Sequence, residues 1–174
     1  LMANHKYESI RVIPTHNDIL FLIMSDSIKR FMQATDVRKE QDPWATVEWL
    51  SNKELVGAQE LLMVRATIAA GRSHPFHTHP TREEIIYVVS GQAEQWVEDD
   101  FRILKAGEMA LVPRGTVHGT FNPFDEDVTF LAILSPLSEG EPNIVDVSEE
   151  EPWKSLREKH NRPPKNNLSP TNAT

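Results

Sequence analysis

A chain of 174 residues, 39% hydrophobic and 25% charged, has the length of one globular domain and can bury a sizeable core. Its 26 acidic against 18 basic residues leave a net charge of −8, which argues against non-specific binding to nucleic acid or to anionic membrane. The absence of cysteine excludes disulfides, thiolate metal ligands and a cysteine nucleophile.

Residues 1–26 show no clean period and read as an N-terminal extension. Its apolar run, "ILFLIM" from Ile19 to Met24, is too short to span a bilayer or to form a signal-peptide core. A cytoplasmic location is the default reading. Met24 opens "MSDSIKRF", a plausible natural start, so residues 1–23 are expected to lie upstream of it. An extra strand or helix on the domain is the alternative.

A single β domain is expected over residues 27–138. Residues 28–50 hold two strand-like stretches around the turn former Pro43. From Glu60 the signal sharpens. "ELLMVRATIAAG" and "EEIIYVVSG" are β-rich runs ending in glycine, and "QAEQWVEDDFRILKAG" reads as two strands joined at Asp99–Asp100. "EMALVPRG", "VHGTFNP" and "DVTFLAILSP" follow. Short strands at this spacing, with Gly, Pro or Asp turns between them, predict an all-β sandwich or barrel.

After Pro136 the composition shifts. Residues 139–160 form a C-terminal segment with a short helix. Ser148 and Glu151 have capping-box spacing, and Pro152 falls in the first turn, where its missing N–H is tolerated. Trp153 and Leu156 are placed to pin the helix to the barrel. The tail 161–174 is polar, proline-rich and expected to be disordered.

Chemistry concentrates in "GRSHPFHTHPTREEIIYVVSG". His77 and His79 lie two apart, so on a strand their rings share a face. Imidazole is the commonest neutral ligand for a divalent transition metal. Glu83 or Glu84 comes next, and a second segment, "GEMALVPRGTVHGTFN", offers His118 after a Pro-x-Gly turn. Gly107 and Gly115 suit tight turns there.

These two segments resemble the paired motifs of the cupin superfamily. The first is carried by Gly71, His77, His79, Glu84 and Gly91; the second by Gly107, Pro113, Gly115, His118 and Asn122. The resemblance covers residues 60–136. It implies a double-stranded β-helix, a jelly-roll barrel, with one divalent metal held inside by His77, His79, Glu84 and His118. Glu84 is preferred to Glu83 because Gly91 lies six residues beyond it. Alternation then turns Ile86 and Val88 inward with Glu84, and Glu83, Ile85 and Tyr87 outward. An apolar outer face would suit the homodimers common in this family.

The donor set suits Fe, Mn, Ni, Co, Cu or Zn. It leaves coordination positions for a small oxygen-rich organic molecule, whose bound oxygen the ion would polarise. A dioxygenase-type oxidoreductase is the first reading, with Glu84 as the catalytic carboxylate. An isomerase or lyase using the ion as a Lewis acid, and a non-catalytic metal or ligand-binding module, are the alternatives. Small molecules, not nucleic acid or membrane, are the expected partners. His74 is expected in a loop or at the surface, and His5, His16 and His160 in solvent. Trp96 fits either the pocket mouth or the core. Arg65 either faces inward to grip an anion or is solvated. Asn122 orients the second-motif turn, and Glu98–Asp100 form a hairpin tip.

Overall fold

The computed structural model describes residues 28–137 and 143–161. The predicted 1–26 extension, His5, His16 and all of the predicted tail after Asn161 lie outside the described residues. Eleven strands run in chain order: β1 (Arg38–Gln41), β2 (Thr46–Ser51), β3 (Leu62–Ile68), β4 (Ser73–Thr78), β5 (Glu83–Ser90), β6 (Gln92–Val97), β7 (Asp100–Lys105), β8 (Met109–Val112), β9 (His118–Phe121), β10 (Val128–Ser135) and β11 (Val145–Asp146). Among the described residues two α-helices accompany them, α1 (Lys53–Val56) and α2 (Trp153–Asn161), with a 3-10 turn at Ala34–Asp36.

The strands form two antiparallel sheets, one in the order β1-β2-β3-β10-β5-β8 and the other β11-β4-β9-β6-β7. This is the all-β sandwich or barrel that the short, evenly spaced strands predict, in the jelly-roll form that the family resemblance implies. The hairpin around Pro43 is present, closed by the Asp42 N–H donating to the Ala45 carbonyl at 2.9 Å.

Alternation sets which side chains fill the barrel. Along β10, Val128, Phe130, Ala132 and Leu134 are buried and the residues between them are not. Register places Phe130 beside Ala66 of β3 and Val88 of β5, and Ala132 beside Val64 and Ile86. The last rung of this inner stripe sets Leu134 beside Glu84. The interior is therefore apolar at one end and becomes polar at the other. Ile86 and Val88 face inward with Glu84, while Glu83 and Tyr87 are exposed, as the glycine register predicts.

Gly91 shows why that register is pinned. Its φ is +74°, and a Cβ there would run into the Asp127 carbonyl oxygen. A side chain at this position would push β5 away from the turn that starts β10.

The five-stranded sheet has two buried faces. Its outer face carries Phe76, Trp96 and Phe121, covered by Leu156 and Trp153 of α2. Gly119 is required there, because a Cβ would lie 2.9 Å from the Phe121 ring. The helix begins later than capping-box spacing predicts. Ser148 sits in a turn, its N–H donating to the Asp146 carboxylate at 2.8 Å. The Glu150 carbonyl instead takes the first bond of α2, from the Lys154 N–H at 2.8 Å. Trp153 and Leu156 do pin the helix.

Candidate metal centre

Antiparallel pairing brings the two motifs together. His77 in β4 is the register partner of His118 in β9. His79 lies just past the end of β4, and the Gly115 N–H of the Pro-x-Gly turn donates to its carbonyl at 3.0 Å. Glu84 faces them from β5 in the opposite sheet. One donor atom from each of these four buried side chains lies within 4.8 Å of the other three.

Backbone carbonyls set the histidine tautomers. His77 Nδ1 lies 2.7 Å from the Pro75 carbonyl and His118 Nδ1 3.1 Å from that of Thr116. His79 Nδ1 meets the Asn143 carbonyl. A carbonyl only accepts, so each Nδ1 carries a hydrogen, and a ring holding one proton keeps its lone pair on Nε2. Such outer contacts orient metal-ligating imidazoles.

The lone pairs converge on a carboxylate. His118 Nε2 lies 2.9 Å and His79 Nε2 3.2 Å from the same Glu84 Oε2. Neither His118 Nε2 nor Glu84 Oε2 has a hydrogen-bond partner. Two buried acceptors facing each other are unfavourable unless a cation lies between them. Burial alone would raise the Glu84 carboxyl; hydrogen bonding and charge from His118 and His79, which act only when those rings carry a second proton, outweigh it, and a cation held among the same Nε2 atoms would depress it in the same sense. Burial pushes His77 down to about 2, so its imidazole is neutral. Three imidazoles with their Nδ1 atoms tied to carbonyls, together with a carboxylate, are a donor set that fits a divalent transition metal.

The surroundings add residues that sequence reasoning missed. A cavity of about 230 Å³ opens beside the four groups. His74 lines it and is neither in a loop nor at the surface, a correction with a local cause. One extra residue in β4 between His74 and His77, a β-bulge, brings side chains three apart onto one face. Trp44 of the β1–β2 turn stacks on His74 at 3.8 Å and 6°, and His74 lies 3.9 Å from His77. A ladder of rings therefore runs from Trp44 inward. Arg82 is buried, and its guanidinium donates to Asn143 Oδ1 at 2.6 Å. The segment before β11 thus touches both His79 and Arg82.

Other candidates fall away from the site. Arg65 is on the outer face of β3 and pairs with Glu48, because Val64, Ala66 and Ile68 take the inner positions. Trp96, 1% exposed, belongs to the outer aromatic core, and its N–H donates to Glu94 at 2.6 Å. His160 is not simply solvated: its ring meets Trp96 edge-on at 5.0 Å. Asn122 ties strand ends together, its amide donating to the Ile68 and Glu126 carbonyls at 3.0 and 2.8 Å. Glu98 and Asp99 form the exposed β6–β7 tip.

Comparison with known proteins agrees with this geometry. Residues 64–134 match the family model described as "Cupin domain". The pectin degradation protein KdgF of Dickeya dadantii (strain 3937) is 26% identical over 98 residues, 56% of this chain and 88% of that protein. The structure of KdgF from Halomonas sp. superposes with a TM-score of 0.56 at 21% identity, covering 64% of this chain and 96% of that one. An oxalate decarboxylase formate complex from Lactobacillus farciminis gives 0.57 at 21% identity, covering 66% of this chain and 35% of that one. At these identities the solved structures speak for the fold. No helix among the described residues is long and apolar enough to cross a membrane.

Proposed function

Residues 64–134 being a cupin domain, we propose that His77, His79, Glu84 and His118 hold one divalent transition metal ion and that the chain is an enzyme acting on a small organic molecule. The observation that carries this is the convergence of three carbonyl-locked imidazoles on one ionised, otherwise unpartnered carboxylate. The ion, when bound, supplies Lewis acidity toward a substrate oxygen. The protein's own part is to orient the imidazoles from behind, to keep Glu84 ionised and to surround the substrate with a dry wall. Glu84 is also the carboxylate placed to accept a proton from the substrate.

A dioxygenase-type oxidoreductase remains the first reading, because four protein ligands on a six-coordinate ion leave room for both substrate and O₂. An isomerase or lyase is the second, favoured by likeness to a pectin degradation protein and to an oxalate decarboxylase. O₂ uptake by Fe- or Ni-loaded protein with diketones, flavonols and hydroxy-acids tests the first. Turnover without O₂ moves the assignment to the second. Tight binding without turnover under every metal makes the chain a binding module. Exposed Tyr87, Val89, Met109 and Leu111 on the outer face of β5 and β8 support a homodimer, which light scattering checks.

A further inference from the structure

The cavity beside the four converging groups has a different chemistry from theirs. We propose that it selects a compact ring compound carrying two adjacent oxygens, such as an aryl hydroxy-acid, over an acyclic polar acid or a sugar. The oxygens' place rests on the metal reading above; the ring's place rests on the cavity walls alone.

Apolar side chains form most of that wall, Trp44, Trp49, Leu62, Ile86, Phe130 and Leu134 among them. Its polar positions, apart from the four proposed ligands, are Asp42, His74, Arg82, Thr120 and Asn143, and three of these are engaged with other protein groups. The Thr120 hydroxyl donates to Gln95 Oε1 at 2.7 Å, and the Trp49 N–H reaches out of the barrel to Glu40 at 3.0 Å. Arg82 is joined to Asn143. A polyol would shed water on entering and find few replacements, and each hydroxyl left unpaired costs about tenfold in affinity. A flat apolar ring loses nothing comparable and gains contact with two indoles.

Size agrees with this reading. An apolar cavity of about 150 Å³ accepts a benzene. About 230 Å³ leaves room for one ring and small substituents. The wall is also held in place before any ligand arrives. Trp44 is stacked on His74 and Trp49 is tethered through its N–H, so little side-chain freedom is lost on binding.

The test uses a pair of ligands with the same chelating end. Metal stoichiometry is first measured by elemental analysis on Ni-loaded protein, which is then titrated calorimetrically with mandelate, lactate and glycerate. Mandelate should bind at least about tenfold tighter than lactate, with the more negative heat-capacity change that apolar burial gives. Trp49→Ala should bring mandelate to within threefold of lactate, and Trp49→Phe should restore most of the gap. Lactate or glycerate binding as tightly as mandelate to the unaltered protein overturns the proposal. If no metal loads, the proposed function fails by itself, and phenol quenching of tryptophan fluorescence in the metal-free protein decides the cavity. Saturable quenching that Trp49→Ala abolishes supports the ring site; no saturable binding overturns it.

Discussion

The two faces of the five-stranded sheet are built from the same strands and do opposite things. On β4, β6 and β9 one face presents His77, Gln95, His118 and Thr120 to the barrel interior, while the other presents Phe76, Glu94, Trp96 and Phe121 to α2. The outer face is closed, and apart from Thr78 Oγ1 its buried polar side chains are paired. The Trp96 N–H donates to Glu94, the Arg157 Nε–H donates to Glu94 at 2.6 Å, and the Arg157 guanidinium lies 3.9 Å from the centre of the Phe121 ring. The inner face is tightly convergent but unsatisfied, with buried His118 Nε2 left unpaired opposite an equally unpaired Glu84 Oε2 of the other sheet. A protein tolerates buried unpaired groups where something else binds them. Stability and function should therefore separate between the faces.

The largest expected effect is on the inner face. His118→Ala should lower bound metal from about one per chain to near zero, read by elemental analysis. A chain that keeps its circular dichroism spectrum shows that the face serves binding and not folding. Unchanged stoichiometry would break the comparison.

Next comes the outer core. Trp96→Ala should cost about 3–5 kcal/mol in denaturant unfolding, as removal of a fully buried indole does. Its folded fraction should keep full metal stoichiometry. Loss of metal from folded W96A would mean that the two faces are coupled.

The Glu94–Arg157 pair sharpens the contrast through pH. Burial alone would raise the Glu94 carboxyl, but hydrogen bonds from Arg157 and Trp96 outweigh it and hold it below its usual value. For a carboxylate whose folded pKa is depressed, the stabilisation is present above the unfolded value of about 4.3 and is lost as pH falls through the folded value. Acid unfolding monitored between neutrality and pH 3 should therefore flatten in Glu94→Gln. Arg157→Ala should cost about 1–3 kcal/mol at neutral pH, since it strips a mostly buried carboxylate of its partner.

The smallest effect is at Arg65, whose side chain is 41% exposed on the outer face of β3. Arg65→Ala should cost about 1 kcal/mol or less, because Lys39 at 2.7 Å keeps the buried Glu48 carboxylate paired, and should leave metal content unchanged. A metal or ligand defect in this variant would return Arg65 to the site.

How much of this was legible in the sequence follows from the same contrast. Strand alternation is a local rule, so His77 and His79 could be paired, and the glycine register could choose Glu84 over Glu83. The all-β architecture was equally legible from strand and turn spacing. Alternation gives two faces without saying which is inner; Arg65 is outward because Val64 and Ala66 pair with the inward Ala132 and Phe130 of β10. His74 escaped because a bulge changes the parity of β4. Trp44 and Asn143 escaped because they come to the site from an upstream hairpin and a downstream segment, and no local period links them to the motifs. The outer core was hidden for a related reason. Trp96 and Phe121 meet their cover only through a helix that follows them by some thirty residues or more.

The central claim is that four named side chains form one metal site. X-ray absorption fine structure on protein loaded with a single equivalent of Ni or Zn tests it most directly. The account predicts three imidazole scatterers and oxygen ligation in the unaltered chain, falling to two imidazoles or to no bound metal in His118→Ala. A spectrum with oxygen ligands only, or one unchanged by that substitution, would contradict it.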